Sequence, residues 1–240
     1  MADFRTHIAV SSTLGAVYGG AGHALGMPLT SSIIAGGLCA LSGMLPDLDS
    51  HSGVPFRETI SLAAAIAPML MMDRFTHMGL THEEIILAAA FVYLAVRFGL
   101  GALFRWYTVH RGMWHSIPAA VIAGLVVYLL CGCQDQPLRI FKALGAVLGF
   151  LSHLVLDECY SVQIAVTGIH RKRSFGSALK LWSHSTWANL STYGKLVLLI
   201  GLAFGDVRYF EPYFHEYENK LHTARRAAEE ILEKGKNILR

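Results

Sequence analysis

Apolar residues gather into six runs of helical length separated by short polar punctuation, at positions 8–25, 29–45, 59–72, 85–104, 117–133 and 140–156. A bilayer core about 30 Å thick needs roughly 20 helical residues, within a range of about 17 to 25. The pattern therefore predicts an all-α fold, a polytopic transmembrane helix bundle of about six spans. Breakers stand where the runs stop: Gly26-Met27-Pro28, Pro46, Gly53-Val54-Pro55, Gly79 and Gln136-Pro137. The third run is short and contains Pro68, so it crosses only if it extends through Arg74; a re-entrant or surface path is the alternative. Beyond Asp157 a polar stretch reaches Thr192 and carries Trp182, Trp187 and Tyr193, residues that favour membrane interfaces. The last apolar run, 196–205, is too short to span unless its helix begins near Trp187. In the tail, Phe214, Tyr217, Leu221, Ala224, Ala228, Ile231 and Ile238 follow alternating spacings of three and four, with Gly235 at the missing position, which predicts an amphipathic helix packed on the protein, the membrane or a partner. The expected organisation is a bundle at 1–158, an interfacial segment with a short apolar run at 159–205, and a charged helical tail at 206–240.

Composition supports the membrane reading. Of 240 residues, 53% are hydrophobic and only 15% charged, against about 25% charged in a typical soluble domain. The formal net charge of +3 is small and its cations are dispersed or flank the spans, so no direct nucleic-acid partner is expected. Cys39, Cys131, Cys133 and Cys159 lie in or beside apolar runs without the paired spacing of a structural zinc site, and read as packing residues. Cys131-x-Cys133 as a soft-metal or oxidisable pair is the sharper alternative. The N-terminus shows no convincing cleavage site, which predicts a retained first helix and keeps His7 in the mature protein.

The polar residues at the run ends change the picture. If all six runs cross, His7, Asp47 with Asp49, the cluster from His110 to Ser116, and Asp157 with His153 one turn before it all fall at one membrane side. Nothing in hydropathy requires that coincidence. The same side takes Arg5, Arg57, Arg105, Arg111, Arg171, Lys172, Arg173, Lys180 and Lys195, against Arg74, Arg139 and Lys142 on the other, so it is expected to face the cytoplasm. His and Asp are costly beside a hydrocarbon core and mark functional sites there.

These residue types at these spacings suit a divalent metal. His153 and Asp157 are four apart and share one helix face. Asp47 and Asp49 flank a leucine just after Pro46, where the chain can turn both carboxylates toward one point. His110 and His115 straddle the turn that opens the fifth run, with Gly112 as its bend. The candidate ligands are thus His7, Asp47, Asp49, His110, His115, His153 and Asp157, more than one catalytic zinc needs; two metals, or a division into ligands, base and orienting groups, are the options. Zinc is the first choice and manganese the second. Asp47, Asp49 and Arg111 are the candidate catalytic residues: a carboxylate to accept a proton from water, and a guanidinium to clamp an anionic substrate group. Each residue also has an ordinary structural reading, as a contact between helices or a solvated loop group. His51 ranks below the seven. The remaining histidines, including His23, His77, His82 and His184, read as surface or interfacial residues. No phosphate loop or nucleophile elbow is present, and Ser116 beside His115 is a poor basis for a serine mechanism.

Leu45-Pro46-Asp47-Leu48-Asp49, His110-Arg111-Gly112-Met113-Trp114-His115-Ser116 and Gly149 through Asp157, in this order after His7, resemble the bacterial membrane-bound, metal-dependent hydrolase family typified by the YdjM and YbcI inner-membrane proteins. The resemblance covers about residues 1 to 165. It implies an inner-membrane, multi-pass hydrolase whose metal-activated water attacks an ester or phosphoester of a small-molecule or lipid-derived substrate. Two departures are visible. Ser50-His51 stands where the family often has His-Pro, and Asp157-Glu158-Cys159-Tyr160-Ser161 replaces its Thr-containing, Gly-rich turn. From another class, the same ligands would serve a non-catalytic metal-binding membrane protein or an interaction scaffold working through the C-terminal helix.

Overall fold

The computed structural model describes residues 3–50, 54–100, 113–165, 168–171 and 179–206, with 102 and 226 singly. These residues are almost entirely helical. Asp3 caps the first helix, α1 (Phe4–Ala24), by accepting the Thr6 amide at 2.9 Å. Gly26, at φ 95°, turns the chain out of it. Pro28 precedes α2 (Leu29–Ser42), after which Leu45–Ser50 forms a 3-10 turn.

The third apolar run becomes α3 (Val54–Leu70), with Pro68 inside its last turn, followed after Met71 by the short α4 (Met72–His77). Proline removes one helical hydrogen bond and disturbs the preceding turn, which accounts for a break here rather than one long helix. Thr81 and Glu84 form a reciprocal capping box for α5 (His82–Leu94), which continues as a π-helical turn over Ala95–Leu100. Ser116 caps α6 (Ile117–Leu130), and Asp135 caps the long α7 (Gln136–Cys159) by accepting the Leu138 amide at 3.2 Å. A further helix, α8, runs over Thr186–Asp206.

Two expectations are met in part. Among the described residues two helices, α7 and α8, are long and apolar enough to cross a membrane, where six spans were expected. α2, α3 and α6 end below that length, whereas α1, at 21 residues, is long enough but not apolar enough. The fold is also not purely helical: Val162–Ala165 (β1) pairs antiparallel with Gly168–Arg171 (β2) within the segment expected to lie along the interface. Alternating Val162, Gln163, Ile164 and Ala165 is a strand pattern, too brief to stand out from hydropathy alone. The last apolar run does begin near Trp187, as spanning required. The amphipathic tail beyond 206 lies outside the described residues, apart from Arg226.

The chain divides into two compact units, Met1–Ile200 and Gly201–Arg240. The first contains the bundle. Its tightest packing is backbone against backbone: a Cβ at Gly145 would stand 2.7 Å from the Ala35 carbonyl oxygen, and one at Gly149 would overlap the Cys39 carbonyl. Gly145 and Gly149 thus bring α7 onto α2 with no side chain between them. On its other flank α7 packs Phe150 and Leu154 against Ala119 and Ala120 of α6. A second cluster of Leu48, Phe56 and Ile60, joined by Leu45 and Trp114, fixes the 3-10 turn.

Candidate metal centre

The stripe that begins with Gly145 and Gly149 continues, at four-residue spacing, with His153 and Asp157. The face that docks α7 on α2 therefore delivers an imidazole and a carboxylate to the end of the bundle. His7, in the first turn of α1, meets them there. Its ring stacks on that of His153 with centroids 3.6 Å apart, and its Nε2 lies 3.3 Å from Asp157 Oδ1. Asp47 comes from the 3-10 turn, its Oδ1 3.7 Å from His153 Nε2, the distance at which Asp157 Oδ2 also stands. His115 enters from the turn before α6, with its ring centroid 5.8 Å from that of His153.

Local structure holds each group in place. Trp114 Nε1 donates to the Leu45 carbonyl at 2.9 Å, tying the His115 turn to the 3-10 turn that carries Asp47. Ser116 donates to the Met113 carbonyl and accepts the Ala119 amide, so its hydroxyl is a cap and not a nucleophile. His153 Nδ1 lies 2.8 Å from the Gly43 carbonyl oxygen, which can only accept; Nδ1 therefore carries the proton and Nε2 presents its lone pair to the cluster. A Cβ at Gly43 would overlap Ser11, one turn after His7. The carbonyl of Gly43 carries no signature in the residue string, and this positioning contact was not foreseen.

Two groups have donor atoms mutually within 4.8 Å and could hold a metal ion: His7 with Asp47 and His153, and His115 with His153 and Asp157. The donor set fits a divalent ion. His7 Nδ1 and His153 Nε2 are buried without a hydrogen-bond partner, a costly arrangement for polar atoms unless something else satisfies them. Nitrogen and carboxylate oxygen are the usual donors for zinc, manganese or non-haem iron. The His7, His153 and Asp157 side chains are 1%, 0% and 5% exposed, whereas Asp47 is 22% exposed. The cluster is thus sealed on the α1 and α7 side and accessible past Asp47.

Of the seven residues expected to converge, the structure brings together His7, Asp47, His115, His153 and Asp157. The Asp49 side chain, His110, Arg111 and the lower-ranked His51 lie outside the described residues. His23 stands at the far end of α1, with Nδ1 3.1 Å from the Met27 carbonyl.

A helical bundle with apolar helices and a buried His/Asp cluster defines a membrane protein with a candidate metal centre. The model of the family described as "YdjM inner membrane protein" matches residues 1–169, and the chain belongs to that family. It is an inner-membrane protein. No curated protein and no solved structure matches the chain.

Proposed function

We propose that this protein is a multi-pass, metal-dependent hydrolase whose centre faces the cytoplasm and acts on an ester or phosphoester of a small-molecule or lipid-derived substrate. The observation that carries the reading is the convergence of five His and Asp side chains, from four separate segments, on one end of α7, with two histidine nitrogens left for a ligand outside the protein. His7, Asp47, Asp49, His110, His115, His153 and Asp157 are the residues assigned to hold one or two divalent ions, zinc before manganese. A bound divalent ion supplies Lewis acidity and brings the pKa of water from about 15.7 toward about 7.

The chain's own residues divide the remaining work. His153, held by Gly43, and His7, paired with Asp157, form a rigid floor that excludes water. Asp47 sits at the accessible rim, where it is placed to accept a proton from an approaching water. Arg111, four residues before His115, is assigned to the anionic group of the substrate. The excess of basic residues at this end supports the cytoplasmic orientation.

The test is elemental analysis of detergent-purified protein beside the His153→Ala, Asp157→Ala double variant, followed by hydrolysis of bis(p-nitrophenyl) phosphate. Stoichiometric metal lost in the double variant, with turnover lost in Asp47→Asn, is expected. Full turnover in Asp47→Asn would remove the assigned base, and a metal-free wild type after zinc and manganese reconstitution would leave the non-catalytic scaffold.

A further inference from the structure

At the end of α7 away from His153 and Asp157, the chain gathers soft donors that the hydrolase reading does not use. α6 closes at Cys131, and Gly132 and Cys133 lead on toward α7. The backbone at Cys131 is extended, with φ −65° and ψ 112°, and in an extended chain residues two apart point to the same side. Cys131 is buried and Cys133 half-buried, both as free thiols. The residue between them pins the pair in place. Gly132 donates its amide to the Leu70 carbonyl at 3.4 Å, and a Cβ there would stand 2.5 Å from the Arg74 amide nitrogen. Glycine is what allows so close an approach to the break between α3 and α4, where Met69-Leu70-Met71-Met72 adds thioether sulfur to the neighbourhood.

Lys142 is aimed at this pair. It is 8% exposed, its ammonium has three hydrogens to place, and its contact among the described residues is Cys133 Sγ at 4.0 Å. The Cys133 thiol in turn donates to the Asp135 carbonyl at 3.7 Å. A neutral thiol is a weak acceptor, whereas a thiolate beside an ammonium gains a charge-assisted hydrogen bond. The arrangement suits a state in which Cys133 has lost its proton, and metal binding is a process that takes protons from thiols. A disulfide, by contrast, would leave the ammonium facing neutral sulfur.

The donors also select the ion. Structural zinc takes four ligands, and among the described residues the groups with three His, Cys, Asp or Glu donors both lie at the metal centre. Two sulfurs suffice for a monovalent soft ion, the class that thiolate and thioether ligands favour. At 1.5 Å per residue Lys142 lies about 22 Å along α7 from Asp157, so the two sites are separate.

We propose that Cys131 and Cys133 bind one copper(I) ion as a bis-thiolate, with Lys142 as a positioning residue that donates to the Cys133 sulfur. One cuprous ion and two thiols give a complex of charge −1 and two protons released to solvent, with no change of oxidation state. The ammonium meets the charge that the complex gains.

The full-length protein in detergent, reduced and kept free of oxygen, is titrated with copper(I) against bicinchoninate, a chromogenic competitor. One ion per chain is expected to be retained, together with a thiolate-to-copper absorption in the ultraviolet. Cys131→Ser and Cys133→Ser should each weaken retention by more than about 100-fold, beyond the loss typical of a group that only orients a ligand. Lys142→Met should weaken it about 10–100-fold, and Lys142→Arg should keep it. His153→Ala, which disables the other centre, and Cys159→Ser, which removes an exposed thiol, should retain copper as the wild type does. Serine replaces sulfur with little change of volume, so the metal-free Cys133→Ser protein should melt with the wild type and its loss of copper reports the ligand rather than the fold. Equal retention by the wild type and the Cys131→Ser, Cys133→Ser double variant, whether high or low, would overturn the proposal. Unchanged retention in Lys142→Met would remove the positioning role.

Discussion

α7 and α8 are alike in the property most easily read from a sequence and opposite in what they do with it. Both are long and apolar enough to cross a membrane, yet half of the apolar window of α7 is buried in the protein and only 6% of that of α8. The difference lies in the small residues and in what meets them. Gly145 and Gly149 face the backbone of α2, whereas Gly194 of α8 has nothing within 4 Å of where a Cβ would stand. On α8, Trp187, Leu190, Val197 and Leu198 are left exposed. Apolarity therefore selects a helix for the membrane, while close approach at glycine decides whether it also builds a site. The family match, residues 1–169, includes α7 and stops before α8.

The largest effect expected from breaking this contrast is at the ligands. His153→Ala should weaken zinc retention by more than about 100-fold, beyond the 10–100-fold typical of losing a group that only orients a ligand. Leu190→Ala on the exposed face of α8 should leave retention at the wild-type level. Equal losses in the two variants, measured by competition with a chelating dye, would mean that both act through general unfolding.

Next in size is the packing itself. Gly149→Ala places a methyl group against the Cys39 carbonyl, a contact between two helix backbones that neither can relieve by rotating a side chain. Overpacking of this kind costs about 1–3 kcal/mol, visible as a lowered melting temperature in detergent. Because Gly149 and His153 lie on the same stripe, metal retention should fall with it. A variant as stable as wild type would show that α7 can move away from α2 without penalty.

Gly43→Ala sharpens the argument at one hydrogen bond. The added methyl meets Ser11, and displacing the Gly43 carbonyl frees His153 Nδ1 to exchange tautomers. Zinc affinity should fall about 10–100-fold, and nitrogen chemical shifts of His153 in the metal-free protein should show a mixture of tautomers. Adding Ser11→Gly removes the atoms nearest the new methyl and should restore part of both. Lowered affinity with an unchanged tautomer would assign the effect to packing alone.

How much of this was legible depends on whether side chains or backbone carry the information. Runs of apolar residues located α1, α2, α6 and α7, and the 145–149–153–157 spacing stood in plain view as four letters one turn apart. The extent of α7 was underestimated, because Gln136-Pro137 and Arg139 read as polar flank although Arg139 is buried inside the bundle. α8 was underestimated for a similar reason: Asn189, Ser191 and Thr192 interrupt an apolar pattern that the helix continues through. The β1–β2 hairpin rests on strands of four residues each, below the length at which alternation outweighs chance. The Gly43 carbonyl could not have been found at all, since every residue has one and only the crossing of α2 with α7 gives this one a partner. Family resemblance pointed to the same motif residues as the hydropathy argument, and the geometry explains why two such different signals agree: ligands placed at helix ends are both interruptions of hydropathy and fixed points of a motif.

The smallest expected effect runs in the opposite direction. Gly194→Ala on α8 meets open space, and the position is helical, so alanine fits the native backbone without strain. Replacing glycine there removes conformational freedom from the unfolded chain and should stabilise by about 0.4–1 kcal/mol, with no change in metal content. The same substitution on α7 is predicted to cost more than this gain, so the sign of a glycine-to-alanine change becomes a local reading of which helix faces are filled. A destabilised Gly194→Ala protein would mean that the α8 face is covered in the membrane by something that requires the absent side chain, and titrating the variant into bilayers of increasing protein density would show whether that cover is a second copy of the chain.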